Sequence, residues 1–158
     1  MAISRDQQSL VLDILGQALD LTVATNRPDG WPQATTVSFV SDGLTLYLGT
    51  WSHGQKAGNI ARDPRVSITV NAPYRAWDTI RSLSLAGDAT IVTAPEEMTK
   101  VGALMMQRFG NEIAKHGSID MSQTTLIRIT PLIISLLDYG KGFGHKAEIV
   151  LSAMTATN

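Results

Sequence analysis

Three short runs rich in β-forming residues follow one another with only turn residues between them. This spacing holds the first third of the chain to an antiparallel meander. Leu21–Thr25 reads as a strand, Arg27-Pro28-Asp29-Gly30 as a strong turn, and Gln33–Val40 as a second strand. Ser41-Asp42-Gly43 reads as a hairpin turn and Leu44–Thr50 as a third strand.

The remaining elements fall into place around that meander. Ser4-Arg5-Asp6-Gln7 has the form of a capping box, and Leu10, Val11, Ile14, Leu15, Ala18 and Leu19 recur on one helical face. After the third strand a helix begins near Gly54 and stops before Pro64. Arg65–Asn71 reads as a fourth strand, with Val66, Ile68 and Val70 on one side. Ala72–Asp78 is a loop, and Ile80–Val92 a long strand with a bulge or bend at Gly87. Thr93, Pro95, Glu96 and Glu97 open a helix that runs to about Phe109, where Gly110 stops it. Thr124–Ile129 and Leu132–Leu137 read as two strands split by Pro131. These six or seven strands do not alternate one-for-one with helices. They imply a mainly β (α+β) domain, an antiparallel closed or split barrel with three peripheral helices. A single domain over residues 1–158, with its core in about 5–145, is the simplest organisation.

Composition narrows the partners. A net charge of −1 argues against nucleic acid as a general partner. With no cysteine, disulfides, iron–sulfur clusters and thiolate zinc sites are excluded. The apolar fraction of 44% leaves surface to spare for a subunit interface. The N-terminus carries charges and glutamines instead of an apolar signal core, and no window is long enough to span a bilayer. A cytoplasmic protein without membrane contact is expected.

The chemistry concentrates in Thr50–Val66. A strand end, a polar loop and a helix start bring together backbone N–H groups, the hydroxyls of Thr50 and Ser52, flexible Gly54, and Lys56. That set suits a phosphate, although Lys56 reads equally well as a solvated helix lysine. Thr35, Thr36 and Ser38 either express β-propensity or line a flat ring ligand lying along the second strand. His53, His116 and His145 are far apart, with no carboxylate at ligand spacing. Gly140-x-Gly142-x-Gly144 lacks the following helix of a dinucleotide loop and reads as a turn. Met98, Met105 and Met106 read as packing, as do Trp31, Trp51 and Trp77, any one of which would also suit ring stacking.

In their order, these pieces resemble the pyridoxamine 5′-phosphate oxidase-like FMN-binding split-barrel family. The matching features are Pro32-x-x-Thr35-x-Val37, a strand ending in Thr50, then Lys56, Asn59 and Asp63-Pro64-Arg65-Val66, and later Arg81–Gly87. The resemblance implies a homodimer with FMN in the cleft between subunits. It places Thr35, Thr36, Val37 and Ser38 along the flavin and ribityl chain, Gly49 and Thr50 towards the phosphate, and Gln55 and Lys56 on it. Ser82 falls where the oxidase has a glutamine near the flavin. Three cationic positions of the oxidase are neutral here: Thr35 and Gln55 replace arginines and Val40 a lysine. The oxidase's C-terminal arginine-x-histidine signature is also absent, so the resemblance is to the wider family and not to the authentic oxidase.

The implied function is an FMN-dependent oxidoreductase acting on a small-molecule substrate, with no residue standing out as acid, base or nucleophile. Two alternatives share the fold. One is an F420-dependent reductase, whose acidic cofactor tail would call on Arg62, Arg65, Arg75 and Lys141. The other is a flavin- or haem-binding carrier or stress protein without turnover. A purely structural dimer with an empty cleft is the plainest case.

Overall fold

The structure is a computed structural model and describes residues 3–117 and 119–151. Its strands are β1 (Asp20–Asn26), β2 (Pro32–Asp42), β3 (Thr45–Trp51), β4 (Arg65–Asn71), β5 (Arg81–Ile91), β6 (Thr124–Asp138) and β7 (Lys146–Val150). Its helices are α1 (Arg5–Gln17), α2 (Gln55–Arg62) and α3 (Pro95–His116). All strand pairs are antiparallel, in the order β3-β2-β1-β4-β5-β6-β7. A further β3–β6 pairing closes the first six strands into a barrel, with β7 as an extra strand outside it. The expected barrel with peripheral helices is therefore the fold.

Alternation builds the core. In β4 the pattern is strict, with Val66, Ile68 and Val70 buried and their neighbours exposed. Inward residues of every barrel strand, among them Leu21, Val23, Phe39, Leu46, Leu48, Leu83 and Ile129, form one cluster. The α1 face carrying Val11, Ile14 and Leu15 joins that cluster, and the Ser4–Gln7 capping box opens the helix. Outward residues Val40, Tyr47 and Leu126 form a second cluster with Val92 and Val101, covered by Leu104, Met105 and Phe109. In this way α3 packs on the outer face of β2 and β3. The contact is pinned by Glu97, which accepts from Arg128 Nη1 at 2.9 and 3.0 Å and from the Tyr47 hydroxyl at 3.1 Å.

Three boundaries differ from the sequence expectation. Pro131 does not divide two strands, because β6 is continuous through it. Gly87 pairs with Pro131 and Ala86 with Ile133, so Leu132 is the extra residue of a bulge. On the other edge of β6, pairing with β3 ends at Ile129 and pairing with β7 begins at Ile133. The missing proline N–H therefore falls where that edge changes partner. The expected bulge at Gly87 is present; a Cβ there would lie 2.7 Å from the Thr130 carbonyl oxygen.

Gly110 does not stop α3, which runs on to His116. Glu112 pairs with Lys115 and His116 in the added turn, and Gly117, at φ +90°, ends the helix. The tail after Tyr139 adds β7, which was not foreseen.

Gly87→Ala should lower stability by about 1–3 kcal/mol, because the new methyl meets rigid backbone. Gly102→Ala, with nothing within 4 Å, should be neutral or stabilising. Urea unfolding of both variants compares them directly.

The Arg128 guanidinium holds the Glu97 carboxyl below its ordinary range. Glu97 therefore contributes fully above the ordinary glutamate value of about 4.3, and its contribution is lost as pH falls through the lower folded value. Glu97→Gln should flatten that part of the acid limb in a pH series of unfolding midpoints.

Candidate functional site

The barrel opens where β2 and β3 part. They pair only from Phe39↔Leu48 to Asp42↔Thr45. On its other edge β3 pairs with β6 from Leu46 to Trp51, so Gly49, Thr50 and Trp51, opposite Leu126, Thr125 and Thr124, run past the end of the β2 pairing. Pro32–Ser38 of β2 pair with β1 alone among the described residues. A free strand edge thus faces a gap whose other side is the end of β3.

The next helix spans this gap. Asn59, on the buried face of α2 beside Ala57 and Ile60, donates from Nδ2 to Thr25 Oγ1 at 3.0 Å and to Gln33 Oε1 at 3.2 Å. Gln33 Nε2 in turn reaches Gln55 Oε1 at 3.4 Å. The loop into α2 is fixed from the other side. Ser52 N–H donates to the Gln123 carbonyl at 2.9 Å, and Thr125 Oγ1 to Ser52 Oγ at 3.0 Å. Gly54 N–H closes a tight turn on the Trp51 carbonyl, which a Cβ at Gly54 would approach to 3.0 Å.

This construction leaves an anion-seeking helix start. Gly54 is the N-cap and has no side chain to bond the first N–H groups. Lys56, in the first turn, is half-buried. Among the described residues it has no ion-pair partner, and loss of hydration alone lowers its proton affinity. A partly desolvated cation without a counter-charge, beside uncapped N–H groups, suits a phosphate or carboxylate.

Gly49, Thr50, Gln55 and Lys56 come together around this turn. Along β2 the four expected residues divide. Thr35 pairs with Val23 of the interior cluster, so it and Val37 face inward. Thr36 and Ser38 face outward and are exposed. The four share the free edge rather than one surface, so a ligand along β2 would meet their backbone groups. Thr35 Oγ1 is buried and has no hydrogen-bond partner among the described residues. A buried hydroxyl left in that state costs about 1–3 kcal/mol.

Ser82 is not brought to the others within one chain. It pairs with Leu137 of β6 whereas Thr50 pairs with Thr125, twelve positions away on the same strand. At about 3.3 Å per residue this is roughly 40 Å of strand. Val40, where the oxidase has a lysine, is buried beneath α3.

Asn59 and Thr125 are site-building residues that did not enter the expected binding set, whereas the Ser52 hydroxyl was expected beside Thr50. The signal for Asn59 was a polar side chain between the apolar positions of α2; nothing local marked Thr125, which is brought in by strand pairing. His53 is exposed, its ring 5.6 Å from that of Trp51 and edge-on to it. Among the described residues no three His, Cys, Asp or Glu side chains gather where they would hold a metal. Arg62 and Arg65 share a cleft at the far end of α2, which neither Arg75 nor Lys141 lines.

Similar folds occur in solved structures. A conserved hypothetical protein from Mycobacterium tuberculosis superposes with a TM-score of 0.74 at 28% identity, covering 99% of this chain and 96% of that one. A heme binding protein from Mycobacterium smegmatis gives 0.76 at 21% identity; the match covers 95% of this chain but only 59% of that protein. The heme storage protein HutZ from Vibrio cholerae gives 0.64 at 19% identity, covering 95% of each chain. No functionally curated protein matches the sequence. The sequence model of the pyridoxamine 5′-phosphate oxidase family matches residues 11–138, and with the closed antiparallel barrel this shows that the chain belongs to that family.

Proposed function

We propose that this protein binds FMN at the split between β2 and β3 and serves as a flavin-dependent oxidoreductase for a small-molecule substrate. The observation that carries the reading is Lys56, partly desolvated and without a counter-charge, beside the uncapped start of α2. FMN, when bound, supplies the electron and hydride chemistry. The chain's part is to hold and orient it. Lys56 Nζ and the first N–H groups of α2 take the phosphate, with the hydroxyls of Thr50 and Ser52 nearby. The free edge of β2 from Thr35 to Ser38 offers backbone groups to the ring and ribityl chain.

A second copy of the chain closes the site in this reading. The unpaired β2 edge and its exposed outward face support that arrangement. If Ser82 meets a flavin held at Lys56, the separation of the two along β6 favours its coming from the other copy.

Haem is the second reading, favoured by the family neighbours described as heme binding and heme storage proteins. His53, exposed on the loop that leads into α2, would be the candidate iron ligand.

The visible spectrum of the purified protein, before and after addition of FMN and then of haemin, separates the readings. A flavin band that co-purifies or titrates to saturation supports FMN. A haem band with no flavin uptake overturns it, and so does displacement of FMN by lower concentrations of F420. Lys56→Ala should weaken FMN binding about ten- to a hundred-fold, the worth of one charge-assisted hydrogen bond of roughly 1.5–3 kcal/mol. The unfolding midpoint without ligand should not fall, because Lys56 pairs with no carboxylate of the described chain. Unchanged FMN affinity would show that the phosphate lies elsewhere.

A further inference from the structure

The cleft at the opposite end of α2 belongs to no part of the proposed flavin site. It measures about 650 Å³, within the range of small-molecule pockets. The turn after β1, the end of α2 and the start of β4 border this open cleft. Ala24, Pro28 and Pro32 contribute apolar wall, and three guanidinium groups, Arg27, Arg62 and Arg65, line it.

Those three cations are not equivalent. Arg27 is committed to Asp29, through Nε at 3.1 Å and Nη2 at 2.6 Å. Arg65 is committed to Asp63 in the same two-pronged manner, at 2.9 and 2.8 Å. Asp63 also accepts from Asn26 Nδ2 at 2.9 Å and stays ionised far below the ordinary range, chiefly through Arg65. Its negative charge is therefore fully used. Arg62 has no carboxylate partner among the described residues. It donates from Nη2 to the Asn26 carbonyl oxygen at 2.6 Å, a bond that fixes the side chain across the cleft. A guanidinium has five N–H donors, so most of its bonding capacity remains.

We infer that this cleft is a second binding site, for a small organic anion bearing one carboxylate or phosphate on an apolar body. Arg62 takes the anionic group through its free N–H donors, in the fork geometry that guanidinium offers to planar oxyanions. The proline-lined wall takes the apolar part. The two neutralised arginine–aspartate pairs hold the walls and leave one positive charge uncompensated, which selects a single anionic group.

The full-length protein labelled with nitrogen-15 tests this by amide chemical-shift titration with benzoate and, separately, with inorganic phosphate. The expected result is saturable shifts at Asn26, Arg62, Arg65 and Ser67 with benzoate, and weaker binding at the same amides with phosphate, which lacks the apolar body. Arg62→Gln should raise the benzoate Kd at least tenfold. Arg62→Lys should give an intermediate loss, and Lys56→Ala should leave the titration unchanged. Because the wild-type titration stands by itself, any folding defect in Arg62→Gln leaves the test intact. Shifts confined to Gln55–Ala57, shifts that never saturate, or a Kd indifferent to Arg62 would each overturn the inference. Since Lys56→Ala is expected to weaken FMN binding and spare this site, failure of one reading is distinguishable from failure of the other.

Discussion

The molecule depends on β3 having to serve two neighbours. It pairs with β2 for four residues and with β6 for six, and the second pairing closes the barrel. The shorter pairing leaves Pro32–Ser38 of β2 without a partner on the β3 side among the described residues, and Asn59 lies across that gap. Its buried amide draws α2 across the split, bonding Thr25 of β1 and Gln33 of β2 at once. A buried amide is favourable only when its partners are in place. The same bonds that seal the gap therefore fix where α2 starts, and with it the uncapped N–H groups and Lys56.

Much of this architecture was legible in the sequence because it is local. The meander through Thr50 is written in turn residues, and Gly30 and Gly43 adopt the positive φ that those turns require. The helix start at Gly54 and the stop before Pro64 also follow from neighbours in the chain. The misread boundaries depended on distant partners. Pro131 breaks a strand only where a neighbouring strand needs its N–H, and the β3-to-β7 exchange relieves that need. Gly110 ends a helix only where nothing extends it, and the Glu112 pairs supply a further turn. Ser82 was grouped with Thr50 through the family pattern, and only strand register shows how far apart the two lie in one chain.

The site's chemistry has the same division. Lys56 and the glycine cap are neighbours in sequence, whereas the Thr125–Ser52 hydroxyl pair and the burial of the Thr35 hydroxyl are products of pairing. The neutral replacements also gain a structural sense. Val40 cannot hold a cation because α3 covers it, packed by Val101 and Leu126. Thr35 points into the barrel interior beside Val23. With those positions committed to packing, the proposed anion recognition at the split would rest on the start of α2.

The central claim is that this helix start receives a phosphate. A crystal structure of the protein soaked with FMN tests it most directly. The account predicts the phosphate against the N–H groups of Gln55–Ala57 and within hydrogen-bonding distance of Lys56 Nζ, with the ring along the free edge of β2. A phosphate seated elsewhere, or density showing the split occupied with Lys56 turned to solvent, would contradict it.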